Sequence, residues 1–208
     1  DRPGAVQSCL SIGAVFQNLA EHERALGIFQ EGLKIAREIG DRQQQAHLLS
    51  ALAELHRRMG TLDAASDVIT EATDIGSSLG DERLLADCER ISGLLALDRD
   101  QTDAGRDLLL RSLRRAEGRG YQAQIGTAER ALAEIAVKRS RIHEAEERFE
   151  RAMGIFSAMG NHLEVARCCD AMAALYDSTG GVDKAKKLRA SAQEIRARLA
   201  GAAGRTTP

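Results

Sequence analysis

The sequence predicts an all-α fold, a right-handed α-α superhelix of five helical hairpins with ten main helices. Three observations predict it. The chain divides without insertion or gap into five blocks of 40 residues, 1–40, 41–80, 81–120, 121–160 and 161–200, and a fixed period of this size marks a solenoid. Within each block, apolar residues recur at steps of three and four along two successive stretches, as they do on one-sided helices. The period-two alternation and β-branched clusters that mark strands do not occur.

The first helix of each block is expected over columns 4–19 of the 40-residue frame. Its column 13 reads Gly13, Ala53, Gly93, Ala133 and Ala173, all small, as required where two helix backbones come close. The break between the helices falls near column 20, at Ala20, Gly60, Asp100, Ser140 and Gly180. The second helix is expected over columns 22–38. It carries another small column in Ala25, Ala65, Gly105, Ala145 and Ala185, and a large one in Phe29, Ile69, Leu109 and Phe149, which Arg189 interrupts in the last block. Gly40, Gly80, Gly120 and Gly160 close the first four blocks. Glycine tolerates the left-handed conformation at a helix C-terminus. The next residue, Asp1, Asp41, Asp81 or Asn161 at the block starts, suits the N-cap of the following helix.

One hairpin of this size cannot cover its own apolar face, whereas about three stacked hairpins form a continuous core. The expected organisation is therefore a single repeat domain over 1–200 with a flexible tail over 201–208. A chain that opens on the first column of a block without Met reads as a piece excised from a larger protein. The excess of Arg over Lys, with abundant Ala and Gly, points to a GC-rich bacterial origin.

The small–Ala–Phe–Ala columns and the glycine between helices resemble the tetratricopeptide repeat in a lengthened, 40-residue form. The residues that carry the resemblance are Leu19 to Ala25 leading to Phe29, Met59 to Ala65, Ile142 to Ala145 with Phe149, and Gly180 to Ala185. The first-helix aromatic of that family survives only as Phe16 and Tyr176, and its helix-ending proline is missing. The resemblance implies an array whose concave wall is built from the first helix of each block and binds a peptide or protein segment. The Asn ladder that polarity adaptors of the 40-residue type use has no counterpart here, because the matching column reads Ala14, Glu54, Leu94, Glu134 and Ala174.

Composition narrows the function classes. The net charge of −2 gives no support to non-specific nucleic-acid binding, which needs a basic surface. No apolar run approaches the roughly 18 residues of a membrane span, so no membrane partner is expected. The four cysteines, Cys9, Cys88, Cys168 and Cys169, form no CxxC pair and sit in core-flanking columns, which suits packing and a reducing cytoplasm. There is no Gly-rich phosphate loop, no HExxH and no nucleophile elbow, and His47 and His56 lie nine residues apart. No enzymatic site, cofactor or metal is expected.

The candidate partner-binding residues fall in the columns that the resemblance places on the concave wall: Arg57, Arg58, Arg90, Leu94, Leu97, Arg130, Glu134, Lys138, Arg167 and Asp170. Arg90 and Arg130 share column 10 of consecutive blocks, where like charges repel unless an anion sits between them, and guanidinium forks suit carboxylates. Leu94, Leu97 and Val137 are expected to add an apolar strip. Such a groove would take an extended or helical peptide with acidic and apolar residues. The competing reading is that Glu54, Glu134 and Asp170 neutralise these arginines. The third block is irregular: Arg115 and Arg119 fill otherwise apolar columns, Gly105 replaces Ala, and Arg106, Arg111 and Arg114 add a basic stripe. It reads either as a docking patch or as a degenerate repeat with snorkelling arginines. The last block, rich in Lys and Arg, reads as a solubilising cap. The expected function is a protein-binding scaffold module, the regulatory part of a larger bacterial signalling or transcription-control protein. The alternatives are self-association into homo-oligomers, and a ligand or nucleic-acid sensor using the arginine cluster.

Overall fold

The computed structural model describes residues 2–203. Its described residues form ten helices and no strand, in the order α1 (Arg2–Asn18), α2 (His22–Glu38), α3 (Arg42–Arg58), α4 (Leu62–Leu79), α5 (Glu82–Asp98), α6 (Thr102–Glu117), α7 (Gln122–Lys138), α8 (Ile142–Ala158), α9 (His162–Ser178) and α10 (Val182–Ala203). First helices begin at column 2 and end at column 18, one to two residues from the sequence expectation. The chain resolves into two compact units, Asp1–Gly118 and Arg119–Pro208, described in turn. Of the expected tail, residues 201–203 continue α10, while 204–208 lie outside the described residues, as does the expected cap Asp1.

The helices end every twenty residues for a local backbone reason. Ala20, Gly40, Gly60, Gly80, Asp100, Gly120, Ser140, Gly160 and Gly180 all have φ between 55° and 81°. Around Ala20, the Glu21 amide donates to the Phe16 carbonyl at 2.9 Å and the Ala20 amide to Gln17 at 3.2 Å. The same pair of bonds recurs at Asp100, Ser140 and Gly160. This is the Schellman arrangement, which satisfies the last carbonyls and turns the chain back without proline. At the block starts, Asp41 accepts from the Gln44 amide at 3.0 Å, Asp81 from Leu84 at 3.0 Å and Asn161 from Glu164 at 3.4 Å. These side chains satisfy amides that the helix itself leaves open.

In unit 1 a continuous core runs from Val6 through Phe29, Leu48, Leu52, Ile69 and Ile91 to Leu95. The small columns set the helix spacing. Gly13 faces the ring of Phe29, whose Cε1 would lie 2.3 Å from a Cβ at that position. In α5 and α6 two glycines meet instead: a Cβ on Gly105 would lie 2.8 Å from the Gly93 carbonyl oxygen. Gly105 is therefore the closest-packed point of its hairpin, which corrects its reading as mere degeneracy. The helix-propensity cost of about 1 kcal/mol is offset by contact that any side chain would block. First helices pack side by side, α1 on α3 and α3 on α5, while the second helices α2 and α4 stand farther apart and meet through the long side chains of Arg37 and Glu71, 2.9 Å apart. The wall of unit 1 therefore bends with its first helices inside.

Unit 2 repeats the scheme. Phe149, Leu175 and Met172 pack between the small residues Ala133 and Ala145, and Phe156 packs with Ala152 and Cys168. The first helices α7 and α9 again touch. α10 is solvent-facing along most of its length, with Ala185 and Ala192 as its fully buried side chains. Arg189, where other blocks carry a large apolar residue, is exposed and pairs with Asp177.

Candidate functional site

The inner face of unit 1 is built by α3 and α5 around one carboxylate. Glu54 projects from α3 one turn before Arg57 and Arg58, so both reach back to it along the same helix face. Arg57 donates to Glu54 Oε1 at 3.1 Å and Oε2 at 3.3 Å, and Arg58 Nε to Oε1 at 3.0 Å. From α5, Arg90 Nη1 lies 3.8 Å from Glu54 Oε2. A second bridge crosses the same two helices, Arg57 Nη1 to Asp98 at 2.9 Å. Asp87 stands 3.6 Å from Arg90 Nε. The Glu54 side chain is 13% exposed and that of Arg90 14%, so the network is largely withdrawn from water.

Burial alone would raise the Glu54 pKa; Arg90, Arg57 and Arg58 outweigh it and hold the carboxyl at about 2. Burial likewise disfavours the charged Arg57, but Glu54 and Asp98 more than reverse this and raise its pKa. Glu54 is therefore a carboxylate at neutral pH, held among three guanidinium groups.

Leu94 and Leu97 do not form the expected apolar strip. They are 7% and 6% exposed. Leu97 lies over Gly105, its Cγ 2.9 Å from where a Cβ would stand. The missing side chain at Gly105 opens space on α6, and Leu97 fills it rather than facing the groove.

In unit 2 the pairing is reversed. Arg130 on α7 donates to Glu134 at 2.7 Å, one turn on, and its Nε lies 3.4 Å from Glu164 at the start of α9. Glu164 also pairs with Arg167, and Asp170 with Arg196 of α10. Lys138 is exposed and Val137 half-buried. Arg90 and Arg130 belong to different units, and each already faces a carboxylate within its own. Glu54 and Glu134 thus meet arginines named from sequence, whereas Arg167 meets Glu164 and Asp170 meets Arg196 of α10.

Two carboxylates were not anticipated. Glu129 of α7 is fully buried, with Arg148 Nη1 at 2.8 Å and Arg151 Nη1 at 2.7 Å. Glu89, at the same column of α5, receives Arg115 at 3.1 and 3.2 Å, with Arg111 Nε at 3.6 Å. Arg115 also pairs with Glu82. The signal was present: column 9 reads Cys9, Leu49, Glu89, Glu129, Cys169, with Arg at column 31 in just the two blocks that carry Glu. Arg111 and Arg115 of block 3 are thus tied to carboxylates of their own hairpin.

The thiols are packing groups. Burial raises Cys88 to about 11 and Cys168 to about 12, and also raises Cys9 and Cys169, which keeps them protonated and unreactive at neutral pH. Among the described residues, no group of three or more His, Cys, Asp or Glu is placed to hold a metal ion, and no helix is long and apolar enough to cross a membrane. The arrangement can hold a partner's polar groups.

Comparison with known proteins agrees with the repeat architecture. Residues 6–78 match the tetratricopeptide repeat family. No curated protein matches the chain in sequence. A Rap protein complexed with competence and sporulation factor superposes with a TM-score of 0.81 at 18% identity, over 93% of this chain and 54% of that one. BtubC (BKLC) from P. vanneervenii gives 0.65 at 19% identity, over 94% and 81% of the two chains. The signal-transduction ATPase with numerous domains and a tetratricopeptide repeat sensor from Pyrococcus horikoshii gives 0.66 at 13%, over 91% and 29%. At these identities the likeness is one of fold.

Proposed function

We infer that this chain, whose residues 6–78 match the tetratricopeptide repeat family, is a protein-interaction module that holds a partner segment on the inner face of its first helices. The observation that carries this reading is the Glu54 network. Three guanidinium groups are fixed in place by one carboxylate, so their free donors are already oriented and little side-chain entropy is lost on binding. Asp98 and Asp87 are the more exposed members, 36% and 32%. A carboxylate of the partner can take their place on Arg57 and Arg90, which selects acidic segments. Lys138 supplies an exposed cation on the inner face of unit 2. The chain matches a sensor-bearing ATPase and a factor-bound Rap protein in fold, which supports a regulatory role within a larger protein.

Selection of random 12-residue peptides on the immobilised chain tests this. Enrichment of Asp- and Glu-bearing peptides is expected. Arg57→Gln with Arg90→Gln should weaken the best of them at least tenfold, while Arg111→Gln on α6 leaves them unchanged and circular dichroism shows full helicity in both. Failure to enrich any peptide, or equal binding by both variants, overturns the reading.

A further inference from the structure

Where the first two repeats of unit 1 meet, a hollow of about 490 Å³ lies between α2 and α4, with α3 as its floor. Leu33, Leu49, Leu52 and Val68 line it, and Leu49 and Leu52 are buried at its base. The next groove of the unit, over α5, is built differently. There the columns of Leu49 and Leu52 hold Glu89 and Ser92, and Glu89 is taken up by Arg115. Arg99 reaches across to the Leu62 carbonyl and Asp63, and the space left is about 210 Å³. The larger, apolar hollow therefore comes from these side chains and not from the repeat itself. Lys34, Arg37, Glu38 and Glu71 stand on its rim. Arg37 Nη2 donates to Glu71 at 2.9 and 3.2 Å, joining the two walls, and Glu38 lies 3.6 Å from Arg2. Lys34 is exposed and has no ion-pair or hydrogen-bond partner among the described residues. α3 runs antiparallel to α2, since Gln45 donates to the Ala36 carbonyl and Leu48 closes on Gly32. His56 thus lines the hollow beside Gln30, away from the Arg37–Glu71 pair. The Thr61 hydroxyl donates to the His56 carbonyl at 3.1 Å, so at 2.9 Å its oxygen accepts from His56 Nδ1. In the neutral ring this leaves Nε2 as the acceptor.

We propose that this hollow binds a small aromatic carboxylic acid, its ring on the leucines, its carboxylate on Lys34, and a ring N–H or hydroxyl on His56 Nε2. Each part of the ligand answers to one feature. The volume falls within the roughly 300–1,000 Å³ of small-molecule sites and exceeds what one protein side chain fills. The Arg37–Glu71 bridge spans the walls at one end, so a partner helix cannot lie along the groove without breaking it. From Gln30 to Arg37 the wall runs about two helical turns, roughly 10 Å, which limits the ligand to one or two rings. The unpaired ammonium group on the rim selects an anion over a neutral body of the same shape. The site is separate from the partner-binding face, because it lies between second helices and the Glu54 network between first helices.

Titration of the isotope-labelled 208-residue chain with indoleacetate and with hydroxyphenylacetate, followed by NMR, tests the assignment. Saturable shifts of the Lys34, Leu49 and Val68 amides are expected. The dissociation constant should fall between about 10 µM and about 1 mM, as suits an open site and a ligand of about a dozen heavy atoms. Indoleacetamide, which keeps the ring and loses the charge, should bind at least fivefold more weakly. Lys34→Gln, at an exposed position, should weaken the acid by the same factor with helicity unchanged. On that variant acid and amide should bind alike, which a general disturbance of the hollow would not produce. Absence of saturable shifts with both acids up to about 5 mM overturns the proposal, as does equal binding of acid and amide by the parent chain. Shifts centred on Arg57 and Arg90 would put the acid on the inner face and overturn it as well, while leaving the partner-binding reading intact.

Discussion

On the inner face of unit 1, Glu54 gathers Arg57, Arg58 and Arg90; on that of unit 2, Arg130 stands between Glu134 and Glu164. Glu54 and Glu134 occupy the same column, yet they do different work. Glu134 has an arginine four residues before it on its own helix and pairs with it locally. Glu54 has Ser50 at that position, takes its helical partners from the following turn, and still reaches Arg90 of α5. The pair on α7 stiffens one helix, whereas Glu54 helps fix two hairpins against each other. Exposure separates them too, 13% for Glu54 and 40% for Glu134. The following block makes the difference: its column 10 carries Arg90 after Glu54 but Asp170 after Glu134, so a cation faces Glu54 across the repeat where a carboxylate stands for Glu134.

Removing each carboxylate is the sharpest way to break this contrast. Glu54→Ala leaves three guanidinium groups without their shared partner. It should cost about 2–3 kcal/mol in urea unfolding, somewhat below the range for wholly buried pairs because the arginines keep some contact with water. Glu134→Ala removes a half-exposed helical pair and should cost about 0.5 kcal/mol or less. Equal losses would show that the two networks are alike.

Acid sharpens it next. The folded-state pKa of Glu54, about 2, lies below the roughly 4.3 of an unfolded glutamate. The unfolded chain therefore takes up the proton first as pH falls. The stabilisation is complete above about pH 4.5 and is lost between there and about pH 2, on the order of 2 kcal/mol or more. Glu54→Gln should be less stable at pH 7 and lose less on acidification to pH 3, as read by thermal melts. A melting temperature that falls as steeply in Glu54→Gln as in the parent would place the acid sensitivity elsewhere.

Smaller than the loss of Glu54 is an effect in which the units should agree. Asp100 in unit 1 and Ser140 in unit 2 are exposed and hold φ of 60° and 55°, a region that costs most residues other than glycine roughly 1–2 kcal/mol. Asp100→Gly and Ser140→Gly should each stabilise the chain by about 0.5–1 kcal/mol, with Asp100→Gly the smaller because Asp tolerates this conformation better. A loss in either unit would mean that the side chain there makes a contact worth more than the strain.

Most of the architecture was legible in the residues because it rests on short-range rules. The 40-residue period, the turn glycines, the caps at Asp41, Asp81 and Asn161 and the small columns each follow from conformations that a few neighbouring residues settle among themselves. What the residues alone left open was set by contacts between helices. Charge spacing marked Arg57, Arg90 and Arg130 as candidates but could not say which carboxylate each would meet. Leu97 looked like groove lining until Gly105 on the facing helix gave it somewhere to pack. Glu129 was not singled out at all, and two arginines of α8 close over it. Local backbone preference is written residue by residue, whereas pairing and burial depend on which surfaces the chain brings together, and that is decided by the whole packed array.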